Sequence, residues 1–224
     1  MRKTTACALF LALLTLPTRA QQPPALGPSM DRIRDAAEWF PPRFASEFER
    51  TEVLALWRVL ESGLLSTLQN PEARYSADIL LGDLYRMGHN LDIPGASEKA
   101  VSHLTAAAAL DPRDPKPHLI LGRHLTFKGD FRQGELELLR AYALSPANEL
   151  TDLNFTLAKN YYYQSQFALC ILFADRIPGD HPASSALAVQ RAAASKALAT
   201  GVAPKTIEIR DADPKAKTDV ILIQ

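Results

Sequence analysis

The side chains that could do chemistry in this chain are its histidines, cysteines and acidic residues, and their spacing matches no familiar catalytic or metal-binding motif. Five histidines and two cysteines show no HxxxH or CxxC grouping, which gives metal ligation little support. There is no GxSxG motif, the commonest hydrolase signature, and no convergent pair of carboxylates. We therefore predict no catalytic, cofactor-binding or metal-binding residue. Lone histidines without ligand spacing are expected on solvated surfaces or in turns; they are His89, His103, His118, His124 and His181.

Residues 1–20 have the layout of a secretory signal peptide. A basic start is followed by an apolar run over residues 6–16 and a small-residue exit at Ala20. The run is too short to span a bilayer, so a retained anchor is the weaker alternative. Cys7 precedes the apolar run, which argues against lipidation of that thiol. We expect cleavage after Ala20 and an exported chain, periplasmic or secreted, without a membrane span.

The chain left after cleavage has a weakly acidic balance. Cleavage removes three basic and no acidic residues, which leaves 22 Lys and Arg against 25 Asp and Glu, a net charge of −3. No basic excess remains to support nucleic-acid binding. The remaining cysteine, Cys170, is surrounded in sequence by apolar residues and is expected to be buried and inert.

An internal repeat organises the middle of the chain. Each copy has a large residue followed by a small one, a second large residue three positions later, and a small residue in the next predicted helix. The distance from the first small residue to a closing proline also recurs, with a six-residue insertion in the first copy: Gly122 to Pro146, Ala158 to Pro182 and Gly82 to Pro112. Small residues at these places predict that two helices cross closely there.

These features resemble the tetratricopeptide repeat (TPR) family over about residues 75–182. The family pattern is a large-small pair, an aromatic residue three on, a small residue in the second helix and a closing proline. The KGDF turn at 128–131 and the LDP and LSP endings are also family-like. The pattern's first Trp is missing, with His118 at its place in the middle copy. The resemblance implies an all-α solenoid of antiparallel helix pairs.

The resemblance also implies a concave groove lined by the first helix of each repeat. Cationic and aromatic residues dominate this set, which suits an extended peptide with acidic or apolar side chains. The alternative is that Phe155 and Tyr162 pack against the next helix and that the charges are ordinary surface. The predicted partner-binding residues are Arg86, Met87, Leu119, Arg123, Phe127, Phe155, Lys159, Tyr162 and Tyr163, with Ile79, Asp83 and Thr126 beside them.

Other segments flank the repeats. Residues 21–29 are Pro-rich and predict a flexible spacer, and residues 30–74 predict N-terminal packing helices, the longer one opened by a Ser46/Glu49 capping box. Residues 183–203 predict a capping helix that ends at Gly201. For the tail, 204–224, a β-hairpin and a flexible segment that docks elsewhere are the two alternatives.

Two functional hypotheses from different classes follow. The first is an exported scaffold or adaptor that binds another protein or an extended peptide in the groove, without catalysis. The second is an enzyme or enzyme accessory subunit with a site in the tail or in the long turn of the first repeat. A pocket with convergent titratable groups would favour the enzyme, and an open concave face would favour the scaffold. The sequence indicates neither the partner nor the oligomeric state.

Overall fold

The computed structural model describes residues 26–202, and all regular structure within that range is helical. The predicted all-α class is therefore confirmed for this part of the chain. The helices are α1 (Leu26–Ala37), α2 (Glu47–Thr67), α3 (Arg74–Asn90), α4 (Ala96–Leu110), α5 (Pro115–Lys128), α6 (Phe131–Leu144), α7 (Thr151–Tyr163), α8 (Phe167–Ala174), α9 (Pro182–Ala186) and α10 (Ala188–Thr200), with a 3₁₀ turn at Ala147–Glu149.

The helices pack with their neighbours in the chain. Helix α3 contacts α4 most extensively, α5 contacts α6, and α7 contacts α8. Short turns join the members of each pair, so the two helices run antiparallel. The pairs are stacked through α4 on α5 and α6 on α7, and the first helices α3, α5 and α7 also touch in order. Three helix pairs are thereby laid side by side, with one helix of each on a shared face.

Each of the first two pairs has a glycine at its closest crossing. A Cβ added to Gly82 would lie 2.4 Å from Cγ of Leu104, and one added to Gly122 would lie 2.6 Å from Cγ of Leu138. Both leucines are fully buried. The same contact between a first-helix glycine and a second-helix leucine therefore recurs in successive pairs, which is the close approach that the small residues predicted.

The turn between α5 and α6 shows how the sequence separates the two helices. Gly129 ends α5 with φ of 96°, a left-handed conformation that costs glycine nothing. The N–H of Asp130 then donates to the carbonyl of Leu125 at 2.8 Å, which satisfies the end of the helix. Asn160 of α7 ties the next pair to this turn by donating to Thr126 Oγ1 and to the carbonyl of Phe131, both at 2.9 Å.

The N-terminal helices differ from the prediction at their start. Helix α1 begins at Leu26, so the last four residues of the predicted 21–29 spacer are helical, and Ser29 and Met30 are buried. Pro28 is tolerated because the first turn of a helix needs no donor at that position. Helix α2 begins as predicted at its cap, where the N–H of Glu49 donates to Ser46 Oγ at 3.2 Å.

The C-terminal cap also differs from the prediction. The capping helix predicted over residues 183–203 is divided into α9 and α10 by a turn at Leu187. The side chain of Leu187 is 1% exposed and belongs to the core of the third pair, so the turn accompanies the burial of this residue. Gly201 ends α10 in the left-handed conformation expected of it.

Two predictions concern residues at the ends of the chain and lie outside the described residues. They are the signal peptide at 1–20 and the tail at 204–224 with its alternative of a β-hairpin. Between Leu26 and Val202, no helix has the length and apolar character needed to cross a membrane.

Candidate peptide-binding groove

The predicted partner-binding residues all lie on α3, α5 and α7. Most of them are buried rather than exposed on an open face. Leu119, Arg123 and Phe127 are partly exposed. The other six are buried: Arg86, Met87, Phe155, Lys159, Tyr162 and Tyr163.

A segment of the chain itself covers part of this face. It follows α1 directly and consists of residues 38–40, which we call the insert. The carboxylate of Glu38 lies between two guanidinium groups. Its Oε2 accepts from Arg86 Nη2 at 2.6 Å, and its Oε1 accepts from Arg123 Nη1 at 3.0 Å. One carboxylate thus joins two cations from neighbouring helix pairs.

The second side chain of the insert, Trp39, fills an aromatic position beside this ion cluster. Its ring meets the Phe127 ring edge-on with centroids 5.1 Å apart, and the Phe155 ring with centroids 5.9 Å apart. Lys159 Nζ lies 5.1 Å from the centroid of Trp39 and at similar distances from the two phenylalanines. A buried ammonium surrounded by ring faces gains cation–π stabilisation. The insert therefore supplies one of the three aromatic rings around the ammonium group of Lys159.

The groove also holds the backbone of the insert. Asn90 Nδ2 donates to the carbonyl of Glu38 at 3.3 Å and to that of Ala37, the last residue of α1, at 2.8 Å, and Arg86 Nη1 also donates to the carbonyl of Glu38 at 3.2 Å. Backbone bonds from side chains of one helix, combined with one charged and one aromatic contact, are the interactions by which grooves hold extended peptides. We call Arg86, Arg123, Phe127, Phe155 and Lys159, which surround Glu38 and Trp39, the groove cluster.

Asp83 binds Arg86, a member of the groove cluster, from the same helix. Its carboxylate accepts from Arg86 Nε at 2.8 Å and from Arg34 Nη2 at 3.0 Å, and its side chain is 13% exposed. Burial on its own would raise the pKa of Asp83. The charges and hydrogen bonds of Arg86 and Arg34 outweigh burial and hold the pKa below its ordinary value. Arg86 is thereby oriented toward Glu38.

The other predicted residues contribute to cores instead. Met87 belongs to the core formed with α1 and α2. Tyr162 packs on Phe167 with centroids 6.0 Å apart, and Tyr163 packs on Phe131 with centroids 5.5 Å apart. Tyr162 therefore packs against the next helix, α8, which is the alternative that the sequence left open for it. Leu119 is partly buried and packs against the core that contains Tyr162 and Tyr163.

Glu38 and Trp39 were not among the predicted site residues. Their one signal in the sequence is an acidic and an aromatic residue at the end of an amphipathic helix, separated by Phe40 from Pro41 and Pro42. That signal indicates where the helix stops. It does not indicate where the side chains go, because the partners of Glu38 are 48 and 85 positions away along the chain and those of Trp39 are farther still.

The prediction that the histidines are solvated or lie in turns is wrong for four of them, since His89, His103 and His118 are partly buried within helices and His124 is buried. His103 Nδ1 lies 2.7 Å from Asp78 Oδ1, and His118 Nδ1 lies 2.7 Å from Glu137 Oε2. The first pair joins α3 to α4, and the second joins α5 to α6. His124 is buried, and burial, followed by the charges of nearby groups, lowers its pKa to about 3. His181 alone of the five is exposed.

Two other features of residues 26–202 bear on chemistry, the thiol of Cys170 and the arrangement of possible metal ligands. Cys170 is buried as expected, and burial raises the pKa of its thiol to about 11, which keeps it protonated. Within this range no group of three or more His, Cys, Asp or Glu side chains is arranged to hold a metal ion.

Comparison of the chain with protein-family models, with curated proteins and with solved structures finds no match.

Proposed function

We propose that this chain is an exported scaffold or adaptor, a TPR-like solenoid that binds another protein through the groove formed by α3, α5 and α7, without catalysis. The observation that carries the proposal is the way this face holds residues 38–40. A carboxylate between two guanidiniums and an indole among two phenylalanines and a lysine are contacts that an extended peptide can make.

The TPR-like architecture is part of the proposal. It is supported by the recurring Gly82–Leu104 and Gly122–Leu138 crossings, by the stacking of three helix pairs, and by a terminal helix, α10, with one buried face. In such a stack the first helices share one face, and an extended ligand can then contact several repeats at once.

We predict that Arg123→Glu removes capture of the partner. The new carboxylate would face Glu38 and Asp152, and it would also repel an acidic partner. Loss of one member of a desolvated charge pair typically costs about 2 to 5 kcal/mol of binding free energy, enough to lose the partner from an affinity resin. Affinity capture from an envelope extract of the source cells, followed by mass spectrometry, measures this.

Arg132→Glu is the matched control, because it makes the same charge change at an exposed position of α6. Both variants should first show wild-type helical circular dichroism. If Arg123→Glu retains the same proteins as wild type while a deletion of the residues after Pro204 loses them, the groove is not the binding site and the tail becomes the candidate.

For the proposed export we predict that the mature protein starts at Gln21. The basic start, short apolar run and small-residue exit of residues 1–20 motivate this expectation. Intact-mass measurement of the protein recovered from the exported fraction reads the cleavage site directly. A mass that includes Met1 and the full apolar run, or one that carries an acyl group on Cys7, would contradict it.

A further inference from the structure

We infer that Glu38 and Trp39 form a tethered copy of the ligand, and that the partner presents a peptide with a carboxylate residue followed directly by a large aromatic residue, which enters the groove in their place. The inference rests on the proposed function and deepens it by naming the chemistry of the partner and the segment that competes with it.

The first step is that the groove selects a carboxylate. Each oxygen of Glu38 has its own guanidinium donor, Arg86 for Oε2 and Arg123 for Oε1. An amide in this place would turn an N–H toward one of two cations. With Glu38 absent, Arg86 and Arg123 would keep Asp83 and Asp152 as acidic partners but would leave the space between them without a negative charge. A second carboxylate is the group that fits there.

The second step is that the groove selects a large ring at the next position. Trp39 lies against Phe127 and Phe155, and Lys159 lies close to all three ring centroids. Removing the indole would expose two apolar rings and open one side of a lysine that is only 3% exposed. An aromatic side chain from a partner restores both the apolar contact and the cation–π contact.

The third step is that the insert can leave without α1. The helix is anchored by its own core residues, since Ile33 and Ala37 are fully buried and Met30 nearly so. Glu38 keeps one backbone bond to the helix, from its N–H to the carbonyl of Arg34 at 2.8 Å, whereas Trp39 and Phe40 lie beyond it; all three residues are partly exposed. Pro41 and Arg43 beyond them are exposed on the way to α2. The contacts of the insert can therefore be exchanged for those of a partner while the helical framework stays in place.

The consequence is competition inside one chain. A tethered segment acts at an effective concentration of roughly millimolar. The apparent affinity for a free peptide equals the intrinsic affinity multiplied by the fraction of molecules whose groove is open. Weakening the insert should strengthen the binding of a peptide that carries the same chemistry.

The test uses the full chain and a fluorescein-labelled synthetic peptide that copies residues 34–42, with binding measured by anisotropy. We expect Glu38→Gln combined with Trp39→Ala to bind this peptide at least about ten-fold more tightly than wild type, because the competing segment is removed. The same peptide with its glutamate changed to glutamine, or its tryptophan to alanine, should bind at least about ten-fold more weakly to that variant.

The chain offers a matched control in a second acidic-aromatic pair, Glu47 and Phe48, which is exposed at the start of α2. Glu47→Gln with Phe48→Ala makes the same two changes outside the groove and should bind the peptide no better than wild type. Adding Arg123→Glu to the Glu38→Gln, Trp39→Ala variant should abolish the gain. A Glu38→Gln, Trp39→Ala protein that keeps its helical circular dichroism and binds no more tightly than wild type overturns the inference.

A second measurement covers the case in which that variant fails to fold. Wild type is titrated with a peptide in which tyrosine replaces the tryptophan, so that all tryptophan emission comes from the protein. Displacement of Trp39 into water should shift the emission to longer wavelength, and an unchanged spectrum at millimolar peptide would count against the inference. If the peptide does not bind but Arg123→Glu still abolishes partner capture, the groove binds a different chemistry and the proposed function stands. If both results are negative, the proposed function fails as well.

Discussion

Replacing Gly122 with leucine should lower the free energy of unfolding by about 3 kcal/mol or more, at the upper end of what overpacking a core costs. Even a methyl group at this position would lie 2.6 Å from Cγ of Leu138 and 3.0 Å from the carbonyl oxygen of Gly134. Leu138 is fully buried, and the second neighbour is backbone, which cannot change rotamer. Helices α5 and α6 would have to separate to accommodate the new side chain.

Thermal unfolding followed by circular dichroism measures this effect. For a chain of this size each kcal/mol corresponds to a shift of roughly 2 to 4 °C in the melting temperature, so a fall of about 6 to 12 °C is expected. Gly63→Leu in α2 is the control, because Gly63 is exposed and a Cβ added there meets nothing within 4 Å. Equal melting temperatures for Gly122→Leu and wild type would mean that α5 and α6 do not cross at this glycine.

The position of this crossing could be predicted from sequence because the signal is local and repeated. Gly82 and Gly122 each follow a leucine at the same place in their copies, and a glycine inside a helix costs roughly 1 kcal/mol relative to alanine unless packing requires it. The partners of both glycines are leucines in the next helix along the chain. Helical periodicity and short turns are sufficient to bring such residues together.

The occupant of the groove could not be predicted in this way. The positions of Arg123 and Lys159 after their small residues place them on the face of the first helices, but no local pattern states that Glu38 and Trp39 will cover that face. Those contacts depend on the path of the chain between α1 and α2, which no periodicity describes. The histidine-carboxylate pairs are a similar case, since His103 and Asp78 are 25 positions apart on different helices.

The ion pairs around Arg86 are both part of the groove and part of the fold. Arg86 is 4% exposed and joins Asp83 on its own helix to Glu38 at the end of α1. Arg34 approaches the same two carboxylates from α1. An arginine between two poorly solvated carboxylates stabilises the fold mainly because its removal would leave their negative charges buried without enough positive charge beside them.

We therefore expect Arg86→Met to destabilise the protein by about 3 to 5 kcal/mol at pH 7, and by less in acid. The folded-state pKa of Asp83 lies below its unfolded value of about 3.9, so its contribution to stability is fully present above that value and is lost as the pH falls through the folded pKa. Without Arg86, fewer charges and hydrogen bonds oppose the effect of burial, so the pKa of Asp83 rises. The wild type then loses more stability on acidification than the variant does, and the gap between them narrows.

Urea unfolding of both proteins at pH 7 and near pH 3.5 measures that gap. Because other carboxylates titrate over the same range, the quantity of interest is the difference between the two proteins at each pH. Asp83→Asn serves as the control, since it removes the titrating group: in that background Arg86→Met should cost less, and its cost should depend less on pH. Arg132→Met, an exposed change on α6, should have little effect at either pH. An Arg86→Met cost that is the same at both values would show that the pKa of Asp83 does not depend on Arg86, and the assigned link between this ion pair and stability would be wrong.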